Sequence, residues 1–393
     1  MPSTHLIVVG AGLAGSFAAL ALAERGARVT LLEARAPGHD RGSSHGGSRI
    51  FRHAYPETDY VRLAVRADEG WRALERDAGE RLVWRSGGLD LETRGGPELA
   101  RIEAALRAHG RPHERIDAAE IRRRFPAFAP AEEVEAIHQP DAGVLAADRA
   151  LLAALRRAAG LGAELRFETP LDGLEPHAGG VVATTASGER IAADGAVVAA
   201  GPWLAEGLLA LDVPLWIEQQ QVLYLGAPAG PDHDAASMPV FIDRDTDTYG
   251  MGRLEHPAAV KVSDHSGAPR IHLAERATGP DEARAARTVA RVQRLLPRVG
   301  PLRSASLCLY TKSPDADFVI GPHPAVPSAW VAGGLSGHGF KFGPALGAML
   351  ADLALEGNSP WWTPRFAVDR FAGGAPPADP GAARTTERDA SSG

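Results

Sequence analysis

Three glycines at positions 10, 12 and 15, in the run Gly10-Ala11-Gly12-Leu13-Ala14-Gly15, have the spacing of a backbone cradle for a pyrophosphate. The physical demands differ at each. Gly10 permits the tight turn, Gly12 lets a phosphate come up to the main chain, and Gly15 lets the following helix pack closely on the strand. The helix N-terminus then offers unpaired N–H groups and a partial positive charge. Glu33, 23 residues after Gly10, supplies a carboxylate for a ribose diol and disfavours a 2′-phosphate, so NADP is not expected. Glycines can also merely pack a helix on a sheet, but here strand, turn, helix, second strand and acid agree. The pattern alone does not separate NAD from FAD.

Three further sets of residues carry chemistry. Arg49 and Arg52 are three apart, and on one loop or short helical turn they would address the same region; a surface ion pair is the plainer reading of such a pair. The chain has one cysteine, Cys308, which cannot form an internal disulfide. It is either a small buried hydrophobe or a nucleophile or attachment point. Lys261 lies in an apolar strand (AAVKV, 258–262), where alternation by itself would turn a lysine to solvent.

The elements that must position these residues follow from periodicity. Residues 6–9 (LIVV) form a buried parallel strand running into the glycine turn; 14–25 form a helix stopped by Gly26; 28–32 form a second strand ending in Glu33. Residues 38–48 are Gly, Ser and His, a polar loop of the ligand-touching kind. Helical spacing recurs at 62–76, 98–109 and 342–355, and strands are predicted at 82–91, 164–185, 195–201, 219–225, 249–252, 260–262 and 329–334. The order implies an α/β nucleotide-binding domain visited at least three times, with a strand-rich domain inserted between visits.

Composition bounds the rest. With 393 residues, two domains is the better expectation; 45% apolar and 23% charged residues with a net charge of −7 fit a globular chain that binds neither nucleic acid nor membrane. Residues 6–23 are apolar, yet no basic region precedes them and glycines interrupt them, so they read as folded chain and not as an export signal. A single cysteine fits the reducing cytoplasm. No metal is expected.

Three segments then resemble one family in order and separation: GSSHGGSRIFRHAY at 42–55, CLYTK at 308–312 and GLSGHGFK at 334–341. They are similar to the flavin loop and later motifs of the monomeric sarcosine oxidase and N-methyltryptophan oxidase family, within the D-amino-acid oxidase superfamily, and the resemblance runs from about residue 5 to 371. It implies an α+β molecule overall: a glutathione-reductase-like FAD-binding Rossmann domain (1–80, 140–215 and 315–372) interleaved with a mostly antiparallel substrate domain (81–139 and 216–314), with a disordered tail at 373–393.

It further implies FAD, bonded covalently through Cys308 and contacted by Gly10, Gly12, Leu13, Ala14, Gly15, Glu33, Ala34, Gly42, Ser43, Ser44, Arg49, Ile50, Leu171, Ala200, Gly201, Trp203, Tyr310, Gly337, His338, Gly339, Phe340 and Lys341. By the same resemblance Arg52 and Lys341 hold a substrate carboxylate, Lys261 stands where oxygen is reduced, Arg49 lies at the flavin face, His45 counts among the catalytic residues, and Tyr249 and His265 line the substrate pocket. Asp264 beside His265 departs from the family pattern. The implied reaction is dehydrogenation of the C–N bond of a secondary amino acid to an imine, with O2 reduced to hydrogen peroxide, by a monomer. The rivals are a cyclic amino acid such as pipecolate or a biosynthetic imino acid as substrate, a dehydrogenase using another electron acceptor, and a catalytically silent flavoprotein.

Overall fold

The computed structural model describes residues 3–211 and 213–372; the tail expected at 373–393 lies outside the described residues. The strand His5–Val9 is the centre of a six-stranded sheet, flanked in parallel by Arg28–Leu32 on one side and Gly195–Val198 on the other. Glu164–Arg166 and Ala329–Gly333 extend it in parallel, and Val319–Pro322 closes one edge antiparallel. Leu6 to Val9 are all buried, as a near-continuous apolar run requires when both faces of a parallel sheet are covered.

The first helix, Leu13–Glu24, buries ten of its twelve residues and so has no polar face; helices 147–160 and 343–356 pack on it along with the sheet. The last of these, Gly343–Glu356, comes within reach because a Cβ at Gly347 would sit 2.3 Å from Phe17 O. The helix Thr58–Ala78 adds Trp71, fully buried, edge-on to Phe17 at 5.0 Å.

The second large sheet is built on Trp216–Gly226 and Leu302–Lys312, two eleven-residue strands paired antiparallel. Seven shorter strands complete a nine-stranded sheet, antiparallel at every pairing except that between Gly88–Thr93 and Val240–Asp243. Its strands all fall between residues 88 and 312. The short strand Val83–Trp84, in the segment expected to belong to the substrate domain, instead pairs with Gly143–Ala146 beside Ser48–Phe51. The strand at 143–146 and the helix Ala147–Gly160 were not read from the sequence, where a four-residue apolar run gives periodicity no purchase. Among the described residues no helix is long and apolar enough to cross a membrane.

Candidate active site

A cavity of about 710 Å³ runs from the glycine turn, between the two sheets, to the ring of His265. Its first end is the cradle. Gly10 has φ +98°, and a Cβ there would stand 2.6 Å from Ala199 O, so the turn needs glycine both for its dihedral and for the neighbouring strand. Gly15 does not reach the cavity; its part is packing, since a Cβ would lie 1.8 Å from Gly10 O. Leu13 N donates to Ser44 Oγ at 3.0 Å, tying the helix start to the polar loop. Glu33 accepts from Ala11 N at 2.7 Å and Arg35 N at 3.0 Å, which fixes its carboxylate at the cavity wall with lone pairs to spare. Leu13, Ala14, Ala34, Leu171, Ala200, Gly201 and Trp203 line the same end.

The middle of the cavity is cationic. Of the loop or short helical turn that the spacing of Arg49 and Arg52 offered, the helical turn is excluded: Arg49 lies in the strand Ser48–Phe51 and Arg52 just past its end, and both line one cavity. Arg49 is clasped by main-chain oxygens, with Nη1 to Ser48 O at 2.8 Å and Nη2 to His45 O at 2.6 Å and Ser43 O at 3.2 Å, and stands over the Phe340 ring. His45 sets its two ring nitrogens against Gly42 O at 3.1 Å and Leu307 O at 2.9 Å, bracing the loop on the strand that carries Cys308. Burial and then Arg49 push its pKa down, against the two carbonyls, which push it up; a neutral ring donates to one of them at a time. Ser43, Ser44, Gly42 and Ile50 line the cavity beside it.

Lys261 is 5% exposed, not solvent-facing: Met251 pairs with it in register, so Tyr249, Met251, Lys261 and Ser263 share the face that meets the cavity, while Val260 and Val262 turn into the core behind. Cys308 is buried opposite Gln220 and borders the cavity; burial pushes its thiol up, and Arg49 and Lys261 pull it down. Tyr310, two residues on, hydrogen-bonds Tyr249 OH at 3.1 Å. Its ring occupies the space where a Cβ at Gly337 would be, 2.3 Å away, so the turn of Gly337, His338 and Gly339 comes up to the site because it has no side chain there.

The far end gathers Arg52, Lys341, His265 and Tyr55. Lys341 Nζ donates to Tyr55 OH at 2.8 Å and His338 O at 2.6 Å, and Trp71 Nε1 holds the Lys341 carbonyl at 2.7 Å. Burial, then Arg52, pushes the lysine well below its ordinary range. The Arg52 guanidinium lies over the Tyr55 ring at 4.2 Å. Its Nη1 is buried with no hydrogen-bond partner and sits 3.9 Å from Asp90, whose carboxylate is engaged by Arg244. A buried, unpartnered N–H on a guanidinium is costly unless an anion completes it. His265 stacks on Tyr249 at 4.5 Å; burial, then Arg244 and Arg52, push it down to about 3, so it is neutral through the physiological range.

Sequence reasoning missed Glu255, Tyr224, Asp90, Arg244 and Asp148. Glu255 ion-pairs with Lys261 at 2.9 Å, and Asp90 with Arg244, across more than 150 residues in the second case. Such pairs leave no spacing signal. Tyr55 sits within the quoted motif 42–55 and could have been singled out as an aromatic beside a candidate arginine. Among the described residues no group of three or more His, Cys, Asp or Glu could hold a metal ion.

A glycine cradle on a parallel sheet, an acid at the end of the second strand and a cavity of about 710 Å³ that continues from the cradle to Lys261, His265 and Lys341 have the form of a dinucleotide-dependent redox site. The FAD dependent oxidoreductase family matches residues 5–353, and the chain belongs to it. Its place within that family is with monomeric sarcosine oxidase and N-methyltryptophan oxidase. It is 38% identical to monomeric sarcosine oxidase of Streptomyces avermitilis over 373 residues, 91% of this chain and 95% of that one. It is 30% identical to N-methyl-L-tryptophan oxidase of Yersinia pestis, covering 93% and 99% of the two chains. Among solved structures it is similar to NikD, an unusual amino acid oxidase essential for nikkomycin biosynthesis, with TM-score 0.80, 26% identity and coverage of 93% and 98%. The residues present fit FAD: the cradle admits phosphates, and the turn of Gly337, His338 and Gly339 lines the same cavity as Arg49, Lys261 and Cys308.

Proposed function

We propose that the protein oxidises the C–N bond of a small secondary amino acid, N-methylated or cyclic, to an imine, and passes the electrons to O2 as hydrogen peroxide. The observation that carries the amino-acid reading is that Arg52 and Lys341 line the same end of an otherwise ring-lined pocket, with Arg52 Nη1 held by no hydrogen bond and only the 3.9 Å approach of Asp90. The names of the relatives, which act on sarcosine and N-methyl-L-tryptophan, support the same class. Bound FAD supplies the redox chemistry, taking a hydride equivalent from the carbon beside the nitrogen and returning two electrons to O2.

The chain supplies the geometry. Arg52 and Lys341 clamp the carboxylate and so fix which C–H faces the cofactor. Neutral His265, stacked on Tyr249, walls the pocket without adding a further positive charge to those of Arg52 and Lys341. Lys261 and Arg49 place positive charge in a buried site where negative charge grows on oxygen. We assign residues 1–80, 140–215 and 315–372 to the FAD domain and 81–139 and 216–314 to the substrate domain. The cytoplasm is favoured by the single cysteine, and a monomeric state by the name of the Streptomyces relative. A screen of sarcosine, N-methyltryptophan, proline and pipecolate with a peroxide readout tests the reading: at least one of these amino acids yields peroxide, and oxidation that proceeds only with an added electron acceptor points to a dehydrogenase.

Cys308 is the attachment point for the flavin in this reading. Its sulfur borders the cavity between Arg49 and Lys261, cations that favour the thiolate against the burial that opposes it. After acid denaturation, yellow colour is expected to stay with the wild-type protein and to leave Cys308→Ser. Release of flavin from both would make the cysteine a packing residue.

A further inference from the structure

Only three of the 42 basic residues are lysines, at 261, 312 and 341, and all three stand in or beside the sheet and cavity described above. Lys312 Nζ lies 3.7 Å from Glu218, and the Lys261 ammonium is held more closely by a carboxylate that is itself hydrogen-bonded. Lys261 Nζ donates to Ser48 O at 2.9 Å and lies 2.9 Å from Glu255 Oε1. The same carboxylate oxygen accepts from Ser48 Oγ at 2.9 Å and from Tyr224 OH at 3.0 Å. Ser48 O also takes Arg49 Nη1 at 2.8 Å, so the two cations hang from one carbonyl. An ammonium has three donors; with two so anchored, the third is left for the cavity that Lys261 lines.

Gly47 makes room for this arrangement. The three atoms nearest to a Cβ built there all belong to Glu255, with Oε2 at 2.4 Å and Cβ at 2.6 Å. The φ of Gly47 is not in the left-handed region, so the backbone itself would accept alanine and the carboxylate is what stands in its way.

We propose that Glu255 is the positioning counter-ion of Lys261, keeping its ammonium charged and aimed at the site of oxygen reduction, and that Gly47 is small so that this carboxylate can stand there. This rests on the role given to Lys261 above. The charge balance supports it. Burial raises the Glu255 carboxyl, but Lys261 and the donors around it outweigh burial and hold it below the usual carboxylate range. For Lys261, burial and then Arg49 favour losing the proton, and Glu255 is the first group that opposes them. The other groups facing this lysine are the Cys308 thiol and the Tyr224 phenol, both pushed up by burial and thus protonated at neutral pH, and Asp148 on the helix Ala147–Gly160, whose carboxyl burial also raises.

Glu255→Gln keeps the shape and the hydrogen bonds and removes the charge. With only three lysines, isotope-labelled lysine gives three side-chain ammonium signals in NMR, and Lys261→Met identifies one of them. In the holoenzyme, the Lys261 signal is expected to titrate at least about one pH unit lower in Glu255→Gln, the size of shift set by an opposite charge within a few ångströms. The basic limb of the O2 reaction should move down with it, since a lysine that loses its proton earlier stops helping earlier. Gly47→Ala should shift both in the same direction, and Gly47→Ala with Glu255→Gln should do no more than Glu255→Gln alone. An unmoved Lys261 titration in Glu255→Gln, or effects of the two substitutions that add, would overturn the proposal. A Lys261→Met enzyme that meets O2 at the wild-type rate would instead refute the role of the lysine, while the titration still decides whether Glu255 is its partner.

Discussion

Lys261→Met is expected to slow the reaction of the reduced enzyme with O2 by about a hundred- to a thousand-fold, the usual cost of deleting one preorganised charge or donor from a dry site. Reduction by the amino acid should change far less. The asymmetry follows from where the charge sits. Lys261 is 5% exposed and shares Ser48 O with Arg49, so its field acts through a medium that screens poorly. Negative charge concentrates on oxygen only when O2 is reduced, whereas the charge that a hydride equivalent brings to the flavin would be spread over its ring system. Methionine matches the length and removes the ammonium, leaving Glu255 without its cation, and its carboxyl then rises, opposed by the hydrogen bonds of Ser48 and Tyr224. Stopped-flow traces of the two half-reactions separate the steps. Equal slowing of both, or of neither, contradicts the assignment.

Arg52→Ala is expected to lower kcat/KM for the amino acid by about a thousand-fold, about 4 kcal/mol, in the range found when one partner of a buried charge pair is removed. The sharper signature is in specificity. The wild-type enzyme should prefer the amino acid over its amide or its decarboxylated amine by a similar factor, and Arg52→Ala should lose most of that preference. Asp90 keeps Arg244 in the variant, so the substitution does not strand a buried carboxylate and its effect is not one of misfolding. Steady-state kinetics with the acid, amide and amine decide it; a variant that retains the preference would place the carboxylate elsewhere in the cavity.

Which parts were legible in the sequence depends on whether a residue's role is set locally. The cradle was readable because its chemistry lies in six consecutive residues between a strand and a helix: Gly10 needs its positive φ and Gly15 its missing Cβ for reasons that neighbours alone impose. Cys308, Tyr310 and the glycines 337 and 339 were reached only through the motif resemblance, and the structure shows why spacing could not find them. Tyr310 fills the hollow over Gly337 from a different sheet, a contact across 27 residues with no periodic trace.

Lys261 shows the limit of alternation. The pattern correctly puts it opposite Val260 and Val262, but this sheet covers a cavity on the other face, so the side away from the core is not the side toward water. Arg49 and Arg52 both line the cavity, as addressing one region requires, but from a strand and the residue after it, so their three-residue spacing carried no helical meaning. Glu255 had no signal at all, because an ion pair between a loop and a strand is fixed by tertiary structure. Asp264, which departs from the family pattern, is taken up by Arg284 and Thr288 on the helix Glu282–Leu295, a buried structural contact behind the pocket wall.

The central claim is that a secondary amino acid reduces a flavin held in this cavity. The most direct measurement is anaerobic mixing of the holoenzyme with sarcosine and with each of the other secondary amino acids named above, following the visible flavin absorbance, and then admitting air. The absorbance is predicted to bleach with at least one of them and to return in air with about one peroxide released per flavin, as two-electron transfer requires. A flavin that stays oxidised with every secondary amino acid offered, at concentrations that saturate the relatives' class of substrate, would contradict the account and leave the cationic end of the pocket to another anion.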